Sequence, residues 1–158
     1  MVIMSLSEKE ILTLLEDVQD PEIPVLNIVE MGIVREINIS DEKVQIGITP
    51  TYMGCPAMNM IENEILDVLY GKGINNVKVK TVYSPAWTTD WLSEETKNKL
   101  KEYGIAPPRA ITDLLDKIEC PFCNSNMTKL TSEFGSTACK SLHYCDACHQ
   151  PFEHFKCI

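Results

Sequence analysis

Apolar residues recur at helical spacing near the start of the chain, where Ile11, Leu14, Leu15 and Val18 follow Ser7-Glu8-Lys9-Glu10. A Ser and a Glu three residues apart form a capping box, each side chain satisfying a free backbone N–H at the helix start. Pro21 closes this pattern. Asp20-Pro21-Glu22-Ile23-Pro24 then reads as a rigid acidic loop, because each proline fixes φ. From about Gly32 to Ile39 the period becomes two, with Ile33, Arg35, Ile37 and Ile39 alternating against Val34, Glu36 and Asn38. Ser40-Asp41-Glu42-Lys43 is a turn, and Val44, Ile46 and Ile48 mark a second strand that pairs with the first as a hairpin.

A helix is predicted from Ala57 to about Tyr70, with Met58, Ile61, Ile65, Leu66 and Leu69 on its apolar face and Gly71 and Gly73 stopping it. The run from Val77 to Tyr83 alternates again as a third strand. Strand, helix, strand in that order permits a right-handed crossover that sets the second and third strands parallel. Ser93 caps a further short helix reaching Tyr103, and Gly104 ends it. The expected fold class is α+β: a small three-stranded mixed sheet with helices, in the order α-β-β-α-β-α, over residues 7–104. Pro107-Pro108 favours an extended path, so 105–115 reads as a linker to a separate four-cysteine zinc-ribbon module over 116–158.

Composition narrows the classes. No apolar run approaches the roughly 18–20 residues that span a bilayer, so no membrane association is expected. The first residues lack a basic segment followed by a long apolar one, which points to a cytoplasmic protein. The formal net charge of −9 counts against nucleic acid as a partner, since phosphate binding relies on clustered Lys and Arg.

Seven cysteines are present, six of them from Cys120 onward. In a reducing compartment such a cluster is better explained by metal than by disulfides. Cys120-Pro121-Phe122-Cys123 and Cys145-Asp146-Ala147-Cys148 are two Cys-x-x-Cys knuckles, each able to turn two thiolates toward one ion. The residues between them suit a β-hairpin that lays one knuckle on the other. Zinc is the expected ion, with iron open because four-sulfur geometry alone does not separate the two. The module is too short to build a sufficient apolar core, and metal ligation can substitute for it. Cys139, Cys157, His143, His149 and His154 read as packing or surface residues, because structural zinc sites close at four ligands.

Cys55 stands apart from this cluster. Pro56 suits the first position of the following helix, which makes Cys55 its N-cap and predicts a lowered thiol pKa there. A thiolate so placed could bind a metal, carry a persulfide or attack an electrophile; a half-buried capping residue is the plain alternative. Asp20 and Glu22 read from spacing alone as turn residues. Of Trp87 and Trp91, one is expected in the core and the other on a partner-contact surface.

The segment Asp20-Pro21-Glu22-Ile23-Pro24-Val25-Leu26-Asn27-Ile28-Val29, with Gly32-Ile33-Val34 and the loop Thr49-Pro50-Thr51-Tyr52-Met53-Gly54-Cys55-Pro56, resembles the SufT-like iron–sulfur cluster assembly family. Trp87-Thr88-Thr89-Asp90-Trp91 and the stretch from Phe134-Gly135-Ser136-Thr137 to Pro151-Phe152-Glu153-His154-Phe155-Lys156 narrow this. Together they resemble the accessory subunits of multicomponent phenylacetyl-CoA epoxidases. The resemblance implies a non-catalytic accessory role in aerobic phenylacetate breakdown, beside oxygenase and reductase subunits. It implies that Cys55 carries iron, a cluster or a persulfide, with Asp20 and Glu22 shaping the site. One such cysteine per front domain would let two chains share a cluster as a homodimer. A zinc-ribbon adaptor that only scaffolds a complex is the competing reading. A thiol enzyme ranks last, because no histidine precedes His143 to activate Cys55.

Overall fold

Ser7 and Glu10 form the reciprocal cap that their spacing predicts. The Ser7 N–H donates to Glu10 Oε2 at 2.8 Å and the Glu10 N–H donates to Ser7 Oγ at 3.2 Å. Helix α1 runs Glu8–Leu15 and buries Ile11 and Leu15. The computed structural model describes residues 6–109 and 117–156. They belong to two units that divide between Trp87 and Thr88.

In the first unit, β1 (Val34–Ser40), β2 (Lys43–Ile48) and β3 (Val77–Thr81) form one sheet in the order β1-β2-β3. β1 and β2 are antiparallel, and β2 and β3 are parallel. The hairpin turn places Asp41 at φ 47° and Glu42 at φ 65°, the pairing of positive angles that matches strand twist in two-residue loops. β2 lies in the middle and buries Val44, Ile46 and Ile48. Gly47 is required there. It pairs in register with Glu36 on one side and Lys80 on the other, and those two side chains meet across it in an ion pair. A Cβ at Gly47 would stand 2.5 Å from Glu36 Cγ and 2.9 Å from Val82 Cγ2.

Helix α2 (Ala57–Gly71) connects β2 to β3 and buries Ala57, Ile61, Ile65 and Leu69, spaced four apart on one face. Gly73 follows it at φ 81°, and the Ile74 N–H closes back on the Leu69 carbonyl at 3.0 Å, a left-handed cap only glycine adopts freely.

The second unit departs from the expected division. Helix α3 (Glu94–Tyr103) has the predicted Ser93 cap and Gly104 stop, but it belongs with the C-terminal residues. Ile105–Ala106, expected in a linker, forms β4 and pairs in parallel with β7 (Pro151–Phe155). Local composition suggested a spacer there, whereas a strand partner distant in sequence decides the structure. The rest of the expected linker, from 110, lies outside the described residues, as does Cys157. β5 (Thr128–Ser132) and β6 (Lys140–Cys145) make the predicted antiparallel hairpin, giving a four-stranded sheet in the order β4-β7-β6-β5. Lys140 is buried, and its Nζ meets Glu153 Oε2 at 3.1 Å. The other oxygen of Glu153 accepts the Ser136 N–H, which fixes the Phe134–Thr137 loop to β7.

Candidate metal centres

The two knuckles are built alike. In the first, the Asn124 N–H donates to the Cys120 carbonyl and the Cys120 N–H to the Ser125 carbonyl. In the second, the His149 N–H donates to the Cys145 carbonyl and the Cys145 N–H to the Gln150 carbonyl. Asn124 and His149 occupy the same left-handed position, at φ 61° and 60°. These tight turns free further N–H groups to face sulfur: Ser125 toward Cys123, Ala147 and Cys148 toward Cys145, and Gln150 toward Cys148. The N–H of Cys148, followed by that of Ala147, holds the Cys145 thiol down to about 7, whereas burial pushes the Cys148 thiol up to about 12.

The four sulfurs all lie within 4.8 Å of one another, with Cys120–Cys148 at 3.7 Å and Cys123–Cys145 at 3.6 Å. Metal–sulfur bonds of about 2.3 Å in a tetrahedron give edges of about 3.8 Å. The spacing therefore fits a single ion coordinated by four sulfurs. Cys120 and Cys145 are packed with Ala106 and Phe152, so the cluster itself forms much of the small core beneath the sheet.

The other centre is less complete. Helix α2 begins at Ala57 as the sequence suggested, but Pro56 rather than Cys55 stands at the cap, and the Ala57 N–H points to Cys55 Sγ. The expected lowering of the Cys55 pKa does not occur. Burial raises it, Glu22 and Asp20 add to the rise, and the Ala57 N–H together with the Tyr52 hydroxyl does not offset them. The sequence showed the helix start but not the carboxylates folded against it.

Glu22 Oε1 lies 4.0 Å from Cys55 Sγ. An ion bonded to one sulfur and one carboxylate oxygen, at about 2.3 and 2.1 Å, spans them at roughly 3.6–4.0 Å. Tyr52 donates its hydroxyl to the same Oε1 at 3.2 Å and holds that carboxylate toward the sulfur. Burial pushes the Tyr52 phenol well above its ordinary value, so it remains a donor. Tyr52 escaped the sequence reading although it lies in the cysteine loop; the missing clue was its partner thirty positions earlier. Asp20 holds the loop that carries Glu22. It is buried, and its Oδ1 accepts the N–H groups of Glu22 and Ile23 at 2.8 and 3.0 Å.

The tryptophans divide as expected in burial. Trp87 is buried and donates its indole N–H to the Met31 carbonyl at 2.7 Å. Trp91 is half-buried in a short 3-10 turn, Thr89–Trp91. Among the described residues, no helix is long and apolar enough to cross a membrane.

The fold is that of a two-part protein, a mixed α+β unit that carries Cys55 followed by a ribbon with four converging thiols. Residues 8–81 match the iron–sulfur cluster assembly protein family, and residues 106–156 match the PaaD zinc beta ribbon domain. An Escherichia coli K12 protein named as a subunit of 1,2-phenylacetyl-CoA epoxidase is 46% identical over 94% of this chain and 92% of its own. An Fe-S protein maturation auxiliary factor from Porphyromonas gingivalis is 33% identical over 60% of this chain and 90% of its own. The crystal structure of a DUF59 domain of unknown function from Bacillus anthracis superposes with a TM-score of 0.55 at 29% identity, covering 59% of this chain and 90% of that one. The chain belongs to the PaaD family.

Proposed function

We propose that this chain is an accessory, non-catalytic subunit of a multicomponent phenylacetyl-CoA 1,2-epoxidase in aerobic phenylacetate degradation. In this reading it helps assemble an iron–sulfur cluster or diiron centre in the oxygenase and reductase subunits, through Cys55. The observation that carries the proposal is the pairing of Cys55 Sγ with Glu22 Oε1 at 4.0 Å beside the Tyr52 hydroxyl. Iron or a cluster is cargo at this site. Its arrival releases the Cys55 proton to water and leaves a thiolate–metal bond, with Glu22 as the second ligand and the remaining positions open. Two protein ligands hold such cargo loosely enough to hand it on. Asp20 shapes the loop that presents Glu22.

The four ribbon cysteines hold zinc in a closed, structural site. Trp91, partly exposed at the start of the second unit, is the candidate contact for a partner subunit, and a homodimer sharing one cluster between two Cys55 thiolates is compatible with one cysteine per site. The protein works in the cytoplasm.

The test uses protein purified without oxygen, wild type beside Cys55→Ser, with elemental analysis and an absorption spectrum before and after reconstitution. We expect one zinc per chain in both, with iron and cluster absorption in the wild type alone. The Cys55→Ser chain should also fail to restore metal loading in the partner complex. Full loading of that complex by Cys55→Ser would leave a scaffold whose work is done by its surfaces.

A further inference from the structure

A second set of ligand-type side chains lies on the ribbon sheet, on the face of β6 that also carries Cys145 but further along the strand. Ser141 and His143 are two apart on β6 and so share a face. His154 on β7 pairs directly with Ser141, which brings its side chain to the same face. The imidazoles of His143 and His154 stand with ring centroids 5.7 Å apart, edge to face. Both residues are more than nine-tenths buried, at 7% and 6% exposure, and both line a pocket of about 280 Å³.

The hydrogen bonding of the two rings is unequal in an informative way. His154 Nε2 is buried and has no hydrogen-bond partner among the described residues, while the ring bonds through its other nitrogen to the Pro107 carbonyl. That bond makes Nδ1 the donor and leaves Nε2 with a bare lone pair. His143 bonds through Nε2 to Ser141 Oγ at 2.9 Å. An imidazole that donates one N–H to a carbonyl and keeps the other nitrogen bare is arranged as metal-ligating histidines are. Two imidazoles on one ion, with bonds of about 2.0–2.1 Å, place their centroids about 5–6 Å apart.

We propose that His154, through Nε2, and His143 form a second, exchangeable site for a first-row divalent ion on the ribbon, separate from the four-thiolate centre. Imidazole favours iron, cobalt, nickel and zinc over calcium or magnesium. Two cations oppose the site: Lys156, which also lines the pocket, and Arg109, which acts on His154. Lys156 is partly drawn aside, its Nζ donating to the Glu133 carbonyl at 2.9 Å and lying 4.4 Å from the Phe134 ring centroid. With two protein ligands and two opposing charges, the ion exchanges readily, unlike one locked among four sulfurs. This inference stands apart from the role of Cys55.

The experiment uses the full zinc-loaded chain carrying Cys55→Ser, so that the front site cannot contribute, in equilibrium dialysis against cobalt(II). One further cobalt per chain is expected, without the intense sulfur-to-cobalt absorption that exchange at the cysteines would bring. His154→Gln should weaken this binding at least tenfold, and Ser141→Ala by about tenfold through loss of the bond that orients His143. No cobalt beyond the zinc count, cobalt seen only with sulfur absorption, or equal binding by His154→Gln overturns the proposal. Should His154→Gln lose its zinc and its fold, the ring nitrogen resonances of the parent chain decide. A shift of the His154 Nε2 signal on adding zinc(II) supports the site, and an unmoved signal sinks it.

Discussion

The ribbon and the front domain each set cysteine beside other metal-ligating groups, and they do so in opposite ways. The ribbon gathers four sulfurs within 4.8 Å, surrounds them with backbone N–H groups and makes the cluster part of its core. The front domain offers one sulfur and one carboxylate oxygen 4.0 Å apart. A closed tetrahedron has no free position through which an ion can leave, so it suits permanent structure. An incomplete pair, held by a tyrosine and a buried loop, suits an ion in passage. The number of converging ligands, not the thiol itself, sets how firmly a metal is held.

The largest effect that would break this contrast is at the ribbon. Cys145→Ser removes a ligand from the core of the unit, and it should forfeit on the order of 10 kcal/mol of metal-coupled folding free energy. Elemental analysis should show the zinc gone and thermal melts a lost transition; zinc retained at full occupancy would mean the site is not closed as described. At the front site the two carboxylates should separate cleanly. Asp20→Ala leaves the Glu22 and Ile23 N–H groups without their acceptor and should cost about 1–2 kcal/mol in urea unfolding. Glu22→Gln should change stability by no more than about 0.5 kcal/mol while weakening iron(II) retention at Cys55 at least tenfold. The reverse pattern would exchange their roles.

The smallest effect distinguishes ordinary carboxylate titration from metal loss in acid. The Ser7 N–H, then its hydroxyl, hold the Glu10 carboxyl below its usual range. Its contribution is present above the unfolded carboxyl value, and it fades as pH falls through the lower, folded one. Replacement by Gln should therefore remove a slight acid sensitivity from the first unit and leave metal content at every pH unchanged.

Much of the fold was legible because its determinants are local. A capping box, a two-residue hairpin turn and a Cys-x-x-Cys knuckle each carry their geometry within a few residues. Errors arose where a distant segment intervened. Cys55 looked like an activated thiolate until Glu22 and Asp20 were seen beside it, and Pro107-Pro108 looked like a spacer until β7 was seen to pair with the residues just before it. His143 and His154 read as packing or surface residues; both are buried, and only the register of β6 with β7 shows that they share a face. Spacing rules describe neighbours in sequence, and these residues are neighbours only in space.

The parallel pairing of β4 with β7 also bears on the order in which the second unit is made. As the chain leaves the ribosome, Ile105–Ala106 emerges well before its partner, with both knuckles and the β5–β6 hairpin synthesised in between. Closing that long loop costs more chain entropy than forming the hairpin, so the edge strand docks late. The four thiols can therefore converge while the sheet is still missing its border.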